Sequence, residues 1–444
     1  MIALALCILA FVATVWAGRR SLGLGLVATI AVGYFYGILR ANLLTTFSHF
    51  IFDASLLGLY LTQKWTSSDP AEARRLTVIR LWIALLMIWP ALLVLLPFQP
   101  WLISLVGLRG AVFFIPTVLL GSQLKDKDLR YLASGLAVLN LVAMGFALAE
   151  YRVGVPRFFP FSPVTLIIYS SADVAGGYFR IPAIFTSAHA YGGTMISSLP
   201  FMIGLWGMAK GRMTRILAVS GIAAAFVGVL MSATRQNFIF GAAMAVFTLL
   251  SVRVTPTRRI VFILLIAAVG YLAMTNERFQ RFKSLTDTEG VAERIAGSVN
   301  RGFWEILAEY PMGNGLGGGG TSIPYFLQGQ VKNPIGMENE YTRVLSEQGV
   351  IGLILWLSFI FWFLSRVGVA FANGPWANTR RLAWCYAAIN LGTAWVGLGL
   401  FTSIPGTVML LLGIGWTATP IAREQAAEKS AVKLDQRYRL VPAG

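Results

Sequence analysis

Charged residues are scarce in this sequence. They make up 12% of the 444 residues, about half of the roughly 25% that is typical of soluble domains. Hydrophobic residues reach 57% even without counting glycine, whereas soluble domains have about 45–50% with glycine included. The chain has too little polar surface to cover a water-soluble globule of this size, so a soluble protein is excluded.

Cysteine is also scarce. Cys7 and Cys385 both lie in apolar stretches, which gives neither a disulfide framework nor the spacing of a metal site. We therefore expect no metal and no cofactor. The formal charge of +17 is compatible with nucleic-acid binding, but no basic stripe is interleaved with exposed aromatic residues. We expect no nucleic-acid partner.

Long apolar runs are what the sequence has in abundance. A helix needs about 20 apolar residues to cross a bilayer, and the runs between charged breaks predict about 12–13 transmembrane helices. They lie near residues 1–17, 21–39, 48–63, 81–97, 107–121, 131–149, 185–208, 216–232, 236–251, 260–275, 344–365, 382–400 and 403–419. The first run follows Met1 without a basic segment, which indicates an uncleaved span. The sequence thus predicts an all-α polytopic membrane protein whose residues 1–444 form a single integral membrane domain.

Basic residues are concentrated in alternate breaks between these runs. Of the 36 Lys and Arg residues, 23 lie in the segments 18–20, 64–80, 122–130, 209–215, 252–259, 366–381 and 421–444. The positive-inside rule assigns such segments to the cytoplasm. The basic tail 421–444 is then cytoplasmic, and the N-terminus and the loops 150–184 and 276–343 are outside.

The loop 276–343 is too long to be a simple turn, and loops of this size usually have a function. Apolar residues recur every four positions over 291–309, which predicts an amphipathic helix on the membrane surface. The glycine run PMGNGLGGGG, residues 311–320, lacks the GK[ST] ending of a phosphate-binding loop. Two interpretations of the run stay open, a turn that lets the backbone approach a ligand closely and simple loop flexibility.

Two arginines fall outside the cytoplasmic clusters, near the predicted outer ends of spans. They are Arg180 in FRIPAIFTSAHAYGG and Arg235 in MSATRQNFIFG. A cation there is costly unless it is paired or faces a wet cavity, and a guanidinium forks onto phosphate oxygens through paired donors. Binding of a diphosphate is one interpretation, and interfacial snorkelling or a structural ion pair is the other.

Acidic residues precede the predicted span 344–365. Glu338 is placed to accept a proton from an attacking hydroxyl at the membrane face, whereas the simpler interpretation is an acid at a helix N-terminus, where the dipole favours it. Trp304 and Tyr341 either stack on sugar rings or belong to the aromatic belt of the membrane interface.

Four segments, in order, resemble the superfamily of O-antigen ligases and Wzy-type polysaccharide polymerases. Residues 179–193 are similar to its Arg-x-x-Gly-x-Phe stretch, with Ala183 in place of the glycine, and residues 231–241 to its Ser-Arg segment. NRGFWEILAEYPMGNGLGGG, residues 300–319, is similar to the Arg-x-x-Trp and glycine pattern. ENEYTRVLSEQGVIGLILWL, residues 338–357, is similar to the segment that starts with His-Asn, with Glu338 in place of the histidine.

The resemblance implies a fold like that of the GT-C lipid-dependent glycosyltransferases, with 276–343 as a large periplasmic loop, in the bacterial inner membrane. It implies metal-independent, inverting transfer of a saccharide from undecaprenyl diphosphate to a sugar hydroxyl. The expected site residues follow from the matching positions and from the outer loops. They are Arg180, Arg235 and Glu338 as catalytic residues, and Arg301, Trp304, Asn339, Tyr341 and Arg157 as substrate-binding residues.

Glu338 in place of histidine favours a polymerase that joins repeat units of a surface polysaccharide or exopolysaccharide. The alternative within the family is a ligase that transfers the polysaccharide to the lipid A core. A transporter or flippase of the same lipid-linked saccharide is the alternative from another class, and it predicts inverted repeats and charges at the midplane, which the sequence does not have. Expected partners are the lipid-linked saccharide, membrane lipid, and other polysaccharide export and chain-length proteins.

Overall fold

The structure is a computed structural model. It describes residues 1–65, 70–170, 179–251, 256–275, 302–320, 323–337, 339–374, 376–397 and 399–420, and the short stretches 289–290, 292–293 and 296–297. Within these residues the chain is helical, with irregular connections and no strand.

The described residues form seventeen α-helices. The first nine are α1 Ile2–Arg20, α2 Leu22–Asn42, α3 Ile51–Thr62, α4 Pro70–Leu93, α5 Trp101–Val112, α6 Thr117–Ser122, α7 Asp126–Val153, α8 Leu166–Tyr169 and α9 Ala188–Met208. The others are α10 Arg212–Met231, α11 Arg235–Ser251, α12 Pro256–Thr275, α13 Phe303–Glu309, α14 Glu340–Ser365, α15 Val367–Ala370, α16 Ala377–Thr393 and α17 Gly406–Ala418. Short 3-10 helices lie at Thr46–Phe50, Val155–Arg157 and Tyr325–Gln330.

Seven helical stretches in the described part of the chain are long and apolar enough to cross a membrane. They are Ile2–Arg20, Leu22–Asn42, Ala73–Leu93, Trp101–Ser122, Asp126–Val153, Arg212–Met231 and Glu340–Ser365. Three apolar helices are shorter: Arg235–Leu250, Phe262–Tyr271 and Gly406–Ala418. A helix satisfies its own backbone hydrogen bonds in lipid, so this composition gives a multi-pass, helical membrane protein, as the apolar runs predict.

Helix α9 occupies the centre of the bundle, and nearly every side chain from Ala188 to Trp206 is buried. It packs against α7, α10, α11, α16 and α17. Small residues allow close approach between neighbouring helices, as is common in membranes. A Cβ on Gly221 of α10 would lie 2.7 Å from the Cβ of Ala137 in α7, and one on Gly58 of α3 would lie 2.7 Å from the Phe11 carbonyl oxygen in α1.

Each of the thirteen predicted apolar runs overlaps a helix, but several run ends differ from the helix bounds. The helix of run 81–97 is Pro70–Leu93, and run 107–121 covers the end of α5, a turn at 113–116 and most of α6. The run 185–208 becomes helical only at Ala188, because Ser187 caps the helix by accepting a hydrogen bond from the Ala190 N–H. The run 382–400 is helical only to Thr393. The stretch from 394 to 405 contains Gly397, Gly399 and Pro405, which disfavour a helix, and its described residues, 394–397 and 399–405, are irregular.

The predicted loop 276–343 is described in part. Its described portion contains α13, the glycine run and the 3-10 helix Tyr325–Gln330, whereas most of 276–301 lies outside the described residues. Of the amphipathic helix predicted over 291–309, only the part from Phe303 onward is continuously described. The tail 421–444 also lies outside the described residues.

Candidate functional site at one end of the bundle

Arg180 begins a short loop that is buried although it is not helical. All six residues from Arg180 to Phe185 are buried. The Ile38 N–H of α2 donates to the Ile184 carbonyl oxygen at 3.1 Å, and the Phe185 ring lies between Tyr34 and Tyr191, with centroids 4.9 and 5.5 Å away. A Cβ on Gly37 would overlap the Phe185 backbone, so α2 needs glycine where the loop crosses it.

In the described part of the chain, Arg180 and Arg235 each have a buried Nε without a hydrogen-bond partner, and five other arginines share this feature. Each of those five donates through another side-chain nitrogen to a backbone carbonyl oxygen; they are Arg40, Arg75, Arg80, Arg380 and Arg381. Neither Arg180 nor Arg235 donates a side-chain hydrogen bond to a described residue. Arg180 is only 7% exposed and Arg235 is half-buried. A buried guanidinium without acceptors is costly, and both side chains are therefore suited to an anionic ligand.

The structure brings the two arginine segments into contact. The Asn237 side chain donates to the His189 carbonyl oxygen at 3.1 Å. A Cβ on Gly192 would lie 2.6 Å from both the Asn237 amide nitrogen and the Ser232 hydroxyl. The N-terminal turn of α9, which follows the Arg180 loop, thus packs on the junction between α10 and α11, where Arg235 begins α11.

The glycine run 311–320 packs on α14. The Asn314 N–H donates to the Ser346 carbonyl oxygen at 2.6 Å, and the Val350 N–H donates to the Pro311 carbonyl oxygen at 2.9 Å. Gly349 has a left-handed φ of 68° and interrupts the helical backbone at this contact. The run thereby approaches the backbone of α14 closely, whereas the two interpretations from the sequence were approach to a ligand and loop flexibility.

A buried ion triad lies in the first two turns of α14. Arg343 donates to Glu340 Oε1 from Nε at 2.7 Å and to Glu347 Oε2 from Nη1 at 2.6 Å. The three residues are at most 2% exposed. Oε1 of Glu347 has no hydrogen-bond partner among the described residues. It lies 3.0 Å from the position of a Cβ on Gly319, so the triad's second carboxylate faces the glycine run.

Residues 394–397 and 399–400 connect the two arginine segments to the glycine run and α14. The Glu340 N–H donates to the Ala394 carbonyl oxygen at 3.0 Å, and Glu340 Oε2 accepts hydrogen bonds from the Gly399 and Leu400 N–H groups at 2.8 and 3.2 Å. A Cβ on Gly397 would lie 3.2 Å from the Gln236 side-chain oxygen, next to Arg235. All four segments therefore belong to one contiguous assembly at one end of the bundle.

The other predicted site residues have varied environments. Asn339 is 1% exposed and caps α14, accepting from the Thr342 N–H at 2.8 Å. Tyr341 is buried, packs on Trp395 with a centroid distance of 4.5 Å, and donates its hydroxyl to the Leu391 carbonyl oxygen. Trp304 is 67% exposed and Arg157 is exposed. Arg301 and Glu338 lie outside the described residues, so their predicted roles stay predictions.

Sequence reasoning did not identify Glu150 or the residues 394–400. Glu150 of α7 is 1% exposed and accepts the Ala183 N–H at 3.0 Å. It is an acidic residue near the end of a long predicted span, and a carboxyl there is a functional candidate by default, so the signal was present. The segment 394–400 is apolar and glycine-containing, and nothing in its composition marks it.

No protein-family model matches the chain, and no curated protein matches it.

Proposed function

We propose that the protein is a membrane glycosyltransferase, specifically a polymerase that joins undecaprenyl-diphosphate-linked oligosaccharide repeat units of a surface polysaccharide or exopolysaccharide. The observation that supports this most is the contact between the segments of Arg180 and Arg235, two arginines whose guanidinium groups have no described acceptor. A diphosphate supplies the paired oxygens that such groups bind. Contact between the other two segments of the resemblance adds support.

In the proposed reaction, a sugar hydroxyl oxygen attacks the anomeric carbon of the lipid-linked saccharide. The bond between that carbon and the diphosphate oxygen breaks, and undecaprenyl diphosphate leaves with the electron pair. Arg180 and Arg235, with Arg301, stabilise the negative charge that develops on the leaving group. Glu338 accepts the hydroxyl proton, and direct displacement inverts the anomeric centre.

We propose further that the site faces the periplasm from the bacterial inner membrane, in a fold of about 12–13 spans related to the GT-C glycosyltransferases. Trp304, Asn339, Tyr341 and Arg157 are proposed to contribute to substrate binding, with 276–343 as the periplasmic loop. The charge distribution supports the orientation, since 23 of the 36 basic residues lie in the segments assigned to the cytoplasm.

Incubation of the purified protein in detergent with one defined lipid-linked repeat unit tests the function. A polymerase gives a ladder of products, each one repeat longer, without an added acceptor. Products that form only when lipid A core is supplied would indicate a ligase. No transfer in detergent, together with movement of the lipid-linked saccharide across proteoliposome membranes, would indicate a flippase and would refute the proposal.

Replacement of Glu338 tests its role as the base. We expect Glu338→Gln to lower turnover by about 10²–10⁴, which is the usual contribution of a general base. Glu305→Gln is the matched control, because Glu305 is an exposed acid in α13 of the same predicted loop. Full turnover in Glu338→Gln would remove this residue from the mechanism.

A further inference from the structure

Glu150 is a buried carboxyl with only one of its two oxygens hydrogen-bonded to a described residue. Its side chain is in the last turn of α7, and the residue is 1% exposed. Oε2 accepts the Ala183 N–H at 3.0 Å, whereas Oε1 has no partner among the described residues. A carboxyl buried in a membrane protein is expensive and is expected to serve a purpose. The only described hydrogen bond it accepts is from the loop that begins at Arg180.

The residue that Glu150 contacts has an unfavourable backbone conformation. Ala183 has a φ of 53°, the left-handed region, which a residue with a Cβ seldom adopts. Such conformations persist where the surrounding structure enforces them, and they cluster at functional sites. The hydrogen bond to Glu150 acts directly on the Ala183 backbone, so it opposes relaxation of the loop toward a more common conformation.

We infer that Glu150 is a positioning residue, which sets the location of Arg180 by holding the Ala183 backbone. Ala183 is three positions after Arg180, a distance of at most about 10 Å of chain, and the segment is buried throughout. Displacement of Ala183 therefore shifts the guanidinium. The inference rests on the proposed role of Arg180 in binding the diphosphate of the lipid carrier.

Two substitutions separate the hydrogen bond to Ala183 from the carboxyl group of Glu150. Glu150→Gln keeps an oxygen that accepts the Ala183 N–H, whereas Glu150→Leu fills similar space without an acceptor. Arg152→Gln is the matched control, because Arg152 lies in the same helix turn and is exposed. Arg180→Gln removes the group that Glu150 is inferred to position.

Hydrogen exchange of the detergent-solubilised protein reports on the loop without any need for catalysis. We expect Glu150→Leu to raise the exchange rate of the peptide containing Ala183 by about 10- to 100-fold, because the buried Ala183 N–H is left without its acceptor. Glu150→Gln and Arg152→Gln should leave that rate within a few-fold of the original. Unchanged exchange in a folded Glu150→Leu protein would overturn the inference.

Binding of undecaprenyl diphosphate, without sugar, reports on Arg180. We expect Glu150→Leu and Arg180→Gln each to raise the Kd about 10-fold or more, and the double variant to bind no more weakly than Arg180→Gln alone, because both changes remove the same interaction. Glu150→Gln should restore binding. If the increases in Kd of the two single variants multiply in the double variant, the inference is overturned.

The proposed function and this inference fail in different ways. Absence of sugar transfer by the original protein, with the binding and exchange results as expected, refutes the polymerase and leaves Glu150 as the residue that positions Arg180. Sugar transfer by the original protein, with Ala183 exchange unchanged in Glu150→Leu, refutes the inference and leaves the polymerase in place.

Discussion

At the scale of single residues, the arginines of the described chain with a buried, unpartnered Nε fall into two groups. Arg380, for example, is buried and donates to the carbonyl oxygens of Thr417 and Thr419 at 3.1 and 2.7 Å, where it stabilises the C-terminal end of α17. Arg180 and Arg235 have no such acceptor in the described residues. Sequence alone located these two arginines but left ligand binding and structural pairing as alternatives, because pairing depends on residues distant in the chain.

Substitution of the two arginines tests the difference. We expect Arg180→Gln and Arg235→Gln each to lower kcat by about 10²–10³, the usual effect of removing one donor that stabilises developing negative charge. Arg152→Gln, at an exposed position of α7, should leave kcat within about twofold. Single-turnover measurements with the lipid-linked repeat unit give the values, and equal effects at all three positions would contradict the assignment.

We expect the buried ion triad of α14, Glu340, Arg343 and Glu347, to contribute to the stability of the fold. Removal of Arg343 leaves Glu340 and Glu347 buried, each without its cation, and breaking a buried ion pair in this way costs about 3–5 kcal/mol. We expect Arg343→Met to give little folded protein. Glu347→Gln should be tolerated much better, because the amide oxygen still accepts from Arg343 and no charge is left alone.

The yield of monodisperse protein by size-exclusion chromatography measures the triad's contribution. Arg366→Met is the control, since Arg366 is a half-exposed arginine at the other end of α14. A yield for Arg343→Met equal to that of Arg366→Met would show that the triad contributes little to folding.

At the scale of helices and loops, the sequence predicts the helical regions well and the connections between them poorly. Apolar runs mark helices because a helix in lipid must be apolar along its length. The buried loop 180–185 and the segment 394–400 are equally apolar, so composition does not distinguish them from helix. Their conformations depend on distant partners, Glu150 for the first and Glu340 for the second.

The role of the glycine run 311–320 depends on the helices that pack against it. Gly313 and Gly349 face each other across the contact, since a Cβ on Gly313 would lie 2.7 Å from the Gly349 nitrogen. Gly107 of α5 approaches the backbone of Gly317 from the other side. The run therefore lies between α5 and α14 as a packed element, and its glycines allow backbone to meet backbone.

Two alanine substitutions test how tightly this element is packed. Gly349 and Gly320 both have a positive φ, 68° and 69°, which disfavours a Cβ, and the ψ of −171° at Gly349 belongs to a region that is essentially confined to glycine. A Cβ at 349 would also lie 2.5 Å from the Met312 carbonyl carbon, whereas no described atom lies within 4 Å of one at 320. We expect Gly349→Ala to lose a further 1–3 kcal/mol or so from overpacking.

Thermal unfolding in detergent measures this difference. The Tm of Gly349→Ala should fall clearly below that of Gly320→Ala, prepared and scanned in the same way. Equal decreases in Tm would mean that the contact between the glycine run and α14 accommodates the added Cβ without loss of stability.

At the scale of the whole molecule, the four segments of the candidate site meet at one end, and the distribution of charge predicts that this end lies outside. Helix α9 has 21 residues, a length of about 30 Å at 1.5 Å per residue. It begins beside Arg235's segment and ends just before Lys210, in a segment assigned to the cytoplasm. The proposed chemistry requires this orientation, since a lipid-linked saccharide is polymerised outside.

Cysteine labelling tests the orientation. In a chain with Cys7→Ala and Cys385→Ala, single cysteines are introduced by Gln330→Cys and Lys210→Cys, at two exposed positions. Gln330 lies in the predicted outer loop and Lys210 between α9 and α10. A membrane-impermeant maleimide added to spheroplasts should label the first variant and should reach the second only after the membrane is permeabilised. Labelling of Lys210→Cys in sealed spheroplasts would reverse the topology, and the candidate site would then face the cytoplasm.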